Sequence, residues 1–117
     1  MKNLKINTLA DLERAGVTID GPTVELAPYE FNYGVVINKN ISTELNAMGM
    51  VVGLHGKGAC FLILPDNRPD LSTLMHEIMH VLDELESYIQ DRLEREARAF
   101  IVQRIVEETL QFLGVVK

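Results

Sequence analysis

His76-Glu77-Ile78-Met79-His80 is the stretch of this 117-residue chain whose residue types and spacing could do chemistry. Its surroundings have a helical period: Leu71, Leu74, Met75, Ile78, Leu82 and Leu85 recur at three- and four-residue steps. On a helix, positions i and i+4 share a face about one turn apart, so the imidazoles of His76 and His80 can reach one metal ion. Glu77 is rotated from His76 by about 100°. That sets its carboxylate beside such an ion rather than on it, where it can act on a bound water. In a chain of this composition the pattern arises by chance about 0.7% of the time, and it uses two of the three histidines. The bland alternative is a pair of partly buried histidines bonded to their neighbours.

A catalytic zinc site ordinarily takes three protein ligands and keeps one position open to water. Glu94 and Glu96 open a second helical stretch, and a helical hairpin would carry one of them back beside His80. They stand about 200° apart around a helix, so only one can point inward. Either would serve equally well as an N-terminal acid matched to the helix dipole or paired with an arginine. Asp83, three residues after His80, could orient an imidazole from behind. It could also belong to a solvated acidic end, Asp83-Glu84-Glu86. His55, in a loop, could donate to an oxyanion or could simply face solvent. Cys60 reads as a core residue, and Met75 and Met79 read as packing rather than as a soft-metal site.

The elements that must position these groups are legible in outline. Asp70 is the expected N-cap of the helix carrying the motif, and Pro65 to Pro69 breaks what precedes it. A second helix is expected from about Asp91 to Leu113, stopped by Gly114. Its apolar positions (Leu93, Ala97, Phe100, Ile101, Ile105, Leu110, Leu113) form a broad face. Before Pro65 lie short β-type segments: Thr23–Leu26, Tyr33–Asn38, Met50–Leu54 and Ala59–Leu64. The last two flank His55-Gly56-Lys57-Gly58, loop chemistry that predicts a hairpin over 50–64. Residues 8–15 have the signals of a short helix, with Thr8 as N-cap and Gly16 as stop. The expected architecture is a single α+β domain over residues 1–117: a small antiparallel or mixed sheet packed on the motif helix and a long C-terminal helix.

Strand, turn, HExxH helix and then a helix opening Glu94-Arg95-Glu96-Ala97-Arg98-Ala99-Phe100 resembles the minimal zincin domain. The resemblance is in particular to the ImmA/IrrE-like metallopeptidases and to the small phage or mobile-element zincins related to them. It covers residues 33–113, including Ser72-Thr73-Leu74-Met75 leading into His76. Glu94, Glu96, Ala97 and Phe100 match the family's Glu-x-Glu-Ala-Asn/Asp-x-Phe-Ala segment, whereas Arg98 replaces Asn or Asp and Ile101 replaces Ala. The resemblance implies zinc held by His76, His80 and a glutamate, with Glu77 as general base. Because Arg98 departs from the pattern that would make Glu94 a ligand, Glu96 is the expected third ligand and Glu94 its substitute. It also implies an extended protein or peptide substrate lying along a strand edge, with the hairpin as that edge and Ala59–Leu64 nearest in sequence to the helix.

Composition bounds the alternatives. Hydrophobic residues make up 47% and charged residues 24%, a globular balance. Net charge is −6, with 11 acids and 6 bases in residues 66–117, which argues against a nucleic-acid partner and would favour a cation. One cysteine excludes an intrachain disulfide and a multi-cysteine metal site. The N-terminus lacks an apolar signal core and no run approaches a membrane span, so the chain reads as cytoplasmic. Two rival functions share this sequence. One is a non-catalytic zincin-fold binding or regulatory module, phage-derived by the same resemblance. The other is a homodimer built through the apolar stretch Ile101–Leu113, with the motif accidental.

Overall fold

The computed structural model describes residues 14, 16, 21–43, 48–54 and 58–114. In chain order the elements are β1 (Val24–Glu25), β2 (Asn32–Ile37), a short α1 (Asn40–Thr43), β3 (Met50–Leu54), β4 (Ala59–Leu64), α2 (Leu71–Ile89) and α3 (Arg95–Phe112). The strands form one mixed sheet in the order β1-β2-β4-β3, so the fold is α+β as expected. β3 and β4 pair antiparallel with Met50 opposite Ile63 and Leu54 opposite Ala59, the hairpin read from the sequence. The helix expected over 8–15 lies, apart from Arg14, outside the described residues, as does His55. Among the described residues no helix is long and apolar enough to cross a membrane.

β4 runs parallel to β2 and antiparallel to β3, and all six of its residues are buried. Its unbroken apolar run, Ala59-Cys60-Phe61-Leu62-Ile63-Leu64, is that of a strand covered on both faces, where alternation would leave polar groups without water. Cys60, Leu62 and Leu64 join Tyr33 and Val35 of β2 on the side that faces the helices. β4 is therefore an interior strand, and among the described residues β3 is the end strand on this side. Of the hairpin expected to offer a substrate edge, Ala59–Leu64 has a neighbour on each side, and Met50–Leu54 is the strand at the end of the sheet.

α2 lays Leu74, Ile78, Val81, Leu82 and Leu85 into this core. Asp70 occupies the N-cap position with extended backbone, and its carboxylate accepts from the hydroxyls of Ser72 and Thr73. The helix ends at Gln90, whose left-handed backbone (φ 57°) turns the chain. α3 does not begin at Asp91 as the periodicity predicts, because the connection is held by specific bonds. Glu86 Oε2 accepts from the Leu93 amide at 2.9 Å, and Glu94 caps α3 by accepting from the Ala97 amide. Propensity alone cannot anticipate that tertiary anchoring.

α3 buries Ile101 and Ile105, and Leu113 at its C-cap is buried with them in the same core. Much of the apolar stretch read as a surface for a partner is thus packed on this chain's own sheet. A buried polar link crosses the same interface. The Tyr33 hydroxyl and Thr109 Oγ1 are 2.6 Å apart and buried, and Thr109 also donates to the Ile105 carbonyl at 2.6 Å. Burial pushes the Tyr33 phenol far above its ordinary range, so it stays protonated.

The pair predicts an asymmetry. Tyr33→Phe leaves Thr109 bonded to Ile105 and should cost about 1 kcal/mol, whereas Thr109→Val orphans a buried hydroxyl and should cost about 1–3 kcal/mol. Urea unfolding of both variants checks the order, and equal losses would contradict it.

Candidate metal centre

α2 is amphipathic, and seating its apolar stripe on β4 turns His76 and His80 outward. Both are exposed, while Glu77 between them is only 6% exposed. The two imidazoles stand edge to face with their Nε2 atoms 3.2 Å apart. Two nitrogens each about 2.0–2.1 Å from a tetrahedral zinc would be separated by about 3.3 Å, so the spacing fits a shared ion. The ligand atoms of His76, Glu77 and His80 all lie within 4.8 Å of one another. Asp83 Oδ2 is 3.6 Å from His80 Nδ1, on the ring nitrogen turned away from the pair. This is beyond hydrogen-bond distance but sets a carboxylate behind the imidazole, from where a small movement would let it orient the ring.

Glu77 reaches in toward the segment that enters β3. A Cβ placed on Gly49 would stand 3.0 Å from Glu77 Cγ and 3.4 Å from a methyl of Leu64. Gly49 thus leaves the room that this carboxylate occupies, and Glu77 makes no hydrogen bond or ion pair among the described residues. Sequence reasoning passed over this glycine. Its only local signal is a glycine directly before the strand, which a loop would explain as well.

The structure brings His76, Glu77 and His80 together and does not bring Glu94 or Glu96 to them. Glu94 is spent as the cap of α3. Glu96 is exposed in the first turn. It lies roughly 180° around the helix from the buried stripe Ile101, Ile105 and Thr109, which points it away from the core. The burial of Ile101, Ile105 and Thr109 fixes this phase of α3.

The other expected positions are also accounted for. Cys60 is fully buried, and burial, with a smaller contribution from the charge of Glu84, pushes its thiol up to about 12; it is a core residue and no nucleophile. Met75 and Met79 are 38% and 40% exposed, at the margin of the packing and outside the buried core. They flank the histidines on α2, and Met79 lines an open cleft of about 790 Å³ between α2 and α3. No protein-family model, curated protein or solved structure matches the chain.

If Asp83 holds the His80 tautomer, Asp83→Ala should weaken zinc binding by about 10-fold or more, with the fold intact by circular dichroism. His76→Ala should remove binding altogether. Competition titration with a chromophoric chelator measures both, and an unchanged affinity in Asp83→Ala would free that carboxylate of any such role.

Proposed function

We propose that this chain is a zinc-dependent metallopeptidase of the HExxH class, acting on a protein or peptide. The observation that carries the reading is the convergence of two Nε2 atoms at 3.2 Å beside a secluded, uncommitted carboxylate. His76 and His80 would hold the ion. Glu96, whose carboxylate has no partner among the described residues, remains the candidate third ligand and Glu94 its substitute. Bound zinc would supply an acidified water and a polarised substrate carbonyl.

The chain's own residues supply the rest. Glu77 is within reach of the histidine nitrogens and can accept a proton from an attacking water, then return it to the leaving amine. Its seclusion excludes competing solvent, while Gly49 gives it space. β3 starts beside this carboxylate and is the end strand of the sheet among the described residues, where an extended peptide could bind as an added strand. Within the expected hairpin edge, this selects Met50–Leu54 as the strand that would receive the substrate.

One observation favours a second reading, a non-catalytic metal-binding module: neither glutamate at the start of α3 stands with the histidines. The two readings separate at Glu77. Elemental analysis of dialysed protein should find about one zinc per chain, absent in His80→Ala and reduced in Glu96→Ala. Glu77→Gln should retain zinc and lose peptide hydrolysis by a factor of about 10² or more. Zinc binding with no hydrolysis in either wild type or Glu77→Gln would leave the module; no zinc uptake would remove both readings.

Gly49→Ala offers an independent check on the same site. Its methyl would push Glu77 aside by a few tenths of an ångström, so hydrolysis should fall by about 10-fold while zinc stoichiometry is unchanged. Loss of zinc in this variant would instead make Gly49 a determinant of the histidine geometry.

A further inference from the structure

The cleft between α2 and α3 has a composition at odds with its surroundings. Met79, Leu93, Ala99 and Val102 make its walls apolar, and the charged groups that line it are two arginines, Arg95 and Arg98. They lie three residues apart, on one side of α3. Both are cationic in a half of the chain that carries 11 acids and 6 bases.

Neither arginine is neutralised in the usual way. Arg95 makes no ion pair among the described residues. Arg98 has one carboxylate partner, Glu86, at the long distance of 3.8 Å, and that carboxylate already accepts from the Leu93 amide. Arg98 Nε is buried and has no hydrogen-bond partner. A buried N–H without an acceptor is destabilising, and the fixed fork of a guanidinium is shaped to receive a carboxylate.

The position of the cleft connects it to the histidine pair. Met79 on its wall is three residues from His76 and adjacent to His80, so it sits on the flank of the face that presents the imidazoles. A peptide carried past His76 and His80 would pass the mouth of the cleft with a neighbouring side chain. A volume of about 790 Å³ is enough to admit a long side chain and part of its backbone.

We propose that this cleft is a side-chain subsite that selects an acidic residue, within an otherwise apolar stretch, in the peptide bound at the metal centre. Arg95 and Arg98 take the carboxylate, and Met79, Leu93 and Val102 cover the apolar stem and its neighbours. This rests on the peptidase reading for the peptide's path, but the subsite's charge preference can be read without turnover or metal.

The test is fluorescence-anisotropy binding of capped peptides, acetylated and amidated, to the full chain with and without added zinc. The peptides differ only in carrying Glu, Gln or Lys at one position within an apolar sequence. Binding of the Glu peptide should be about tenfold tighter than that of the Gln peptide and tighter still than that of the Lys peptide. Arg95→Gln and Arg98→Gln should each erase most of the preference. Ala99→Glu, at an exposed position on the cleft wall four residues after Arg95, sets a competing carboxylate beside the arginines and should weaken it.

Equal binding of the three peptides, no binding of any, or a preference that survives both arginine variants would overturn the proposal. So would tighter binding of the Gln peptide with a free C-terminus than of the capped Glu peptide, since the cleft would then read a chain end rather than a side chain. A Glu preference in zinc-free protein that takes up no zinc would sustain the subsite while removing the peptidase reading.

Discussion

Seating α2 on β4 is the contact on which the candidate site depends. Leu74, Ile78, Val81, Leu82 and Leu85 meet Cys60, Leu62 and Leu64 across one interface. Each such side chain contributes roughly 1.5–3 kcal/mol when fully buried. A helix turns about 100° per residue, so a single-residue rotation would pull this stripe out of the core and drive an imidazole into it. The apolar contacts thus fix the direction of His76 and His80 without touching either ring. Glu77, one step round, falls at the boundary of the interface and is secluded for the same reason.

The link between α2 and α3 is a second constraint, and it works through polar groups. Glu86 ties the Leu93 amide to the end of α2, Gln90 reverses the chain in a left-handed conformation, and Glu94 starts α3. Burial of Ile101, Ile105 and Thr109 on α3 turns Glu96 outward. The same phase brings Arg95, Arg98 and Val102 to the cleft beside Met79.

Read alone, the chain already disclosed the elements with unambiguous patterns. The hairpin Met50–Leu54 with Ala59–Leu64 and the motif helix from Asp70 follow from Gly-rich loop chemistry, an unbroken apolar run and a clean 3.6-residue stripe. The histidine pair was legible because i and i+4 are neighbours in any helix, so their proximity is local. The start of α3 was not, because Asp91 to Glu94 is acidic and helix-compatible, and the bond that stops it comes from Glu86, seven residues back.

What residue order determines in this protein is local: secondary structure, the facing of His76 and His80, and the position of Glu77 next to them. What tertiary structure decides is everything that joins segments distant along the chain. Among the described residues it places β4 in the interior and β3 at the end of the sheet, because β2 pairs parallel to β4 from across a crossover. It sets Gly49 against Glu77, twenty-eight residues apart, and it gathers two arginines and Met79 around one cleft. Such contacts depend on how sheet and helices share one core, and no periodicity within a segment encodes that arrangement.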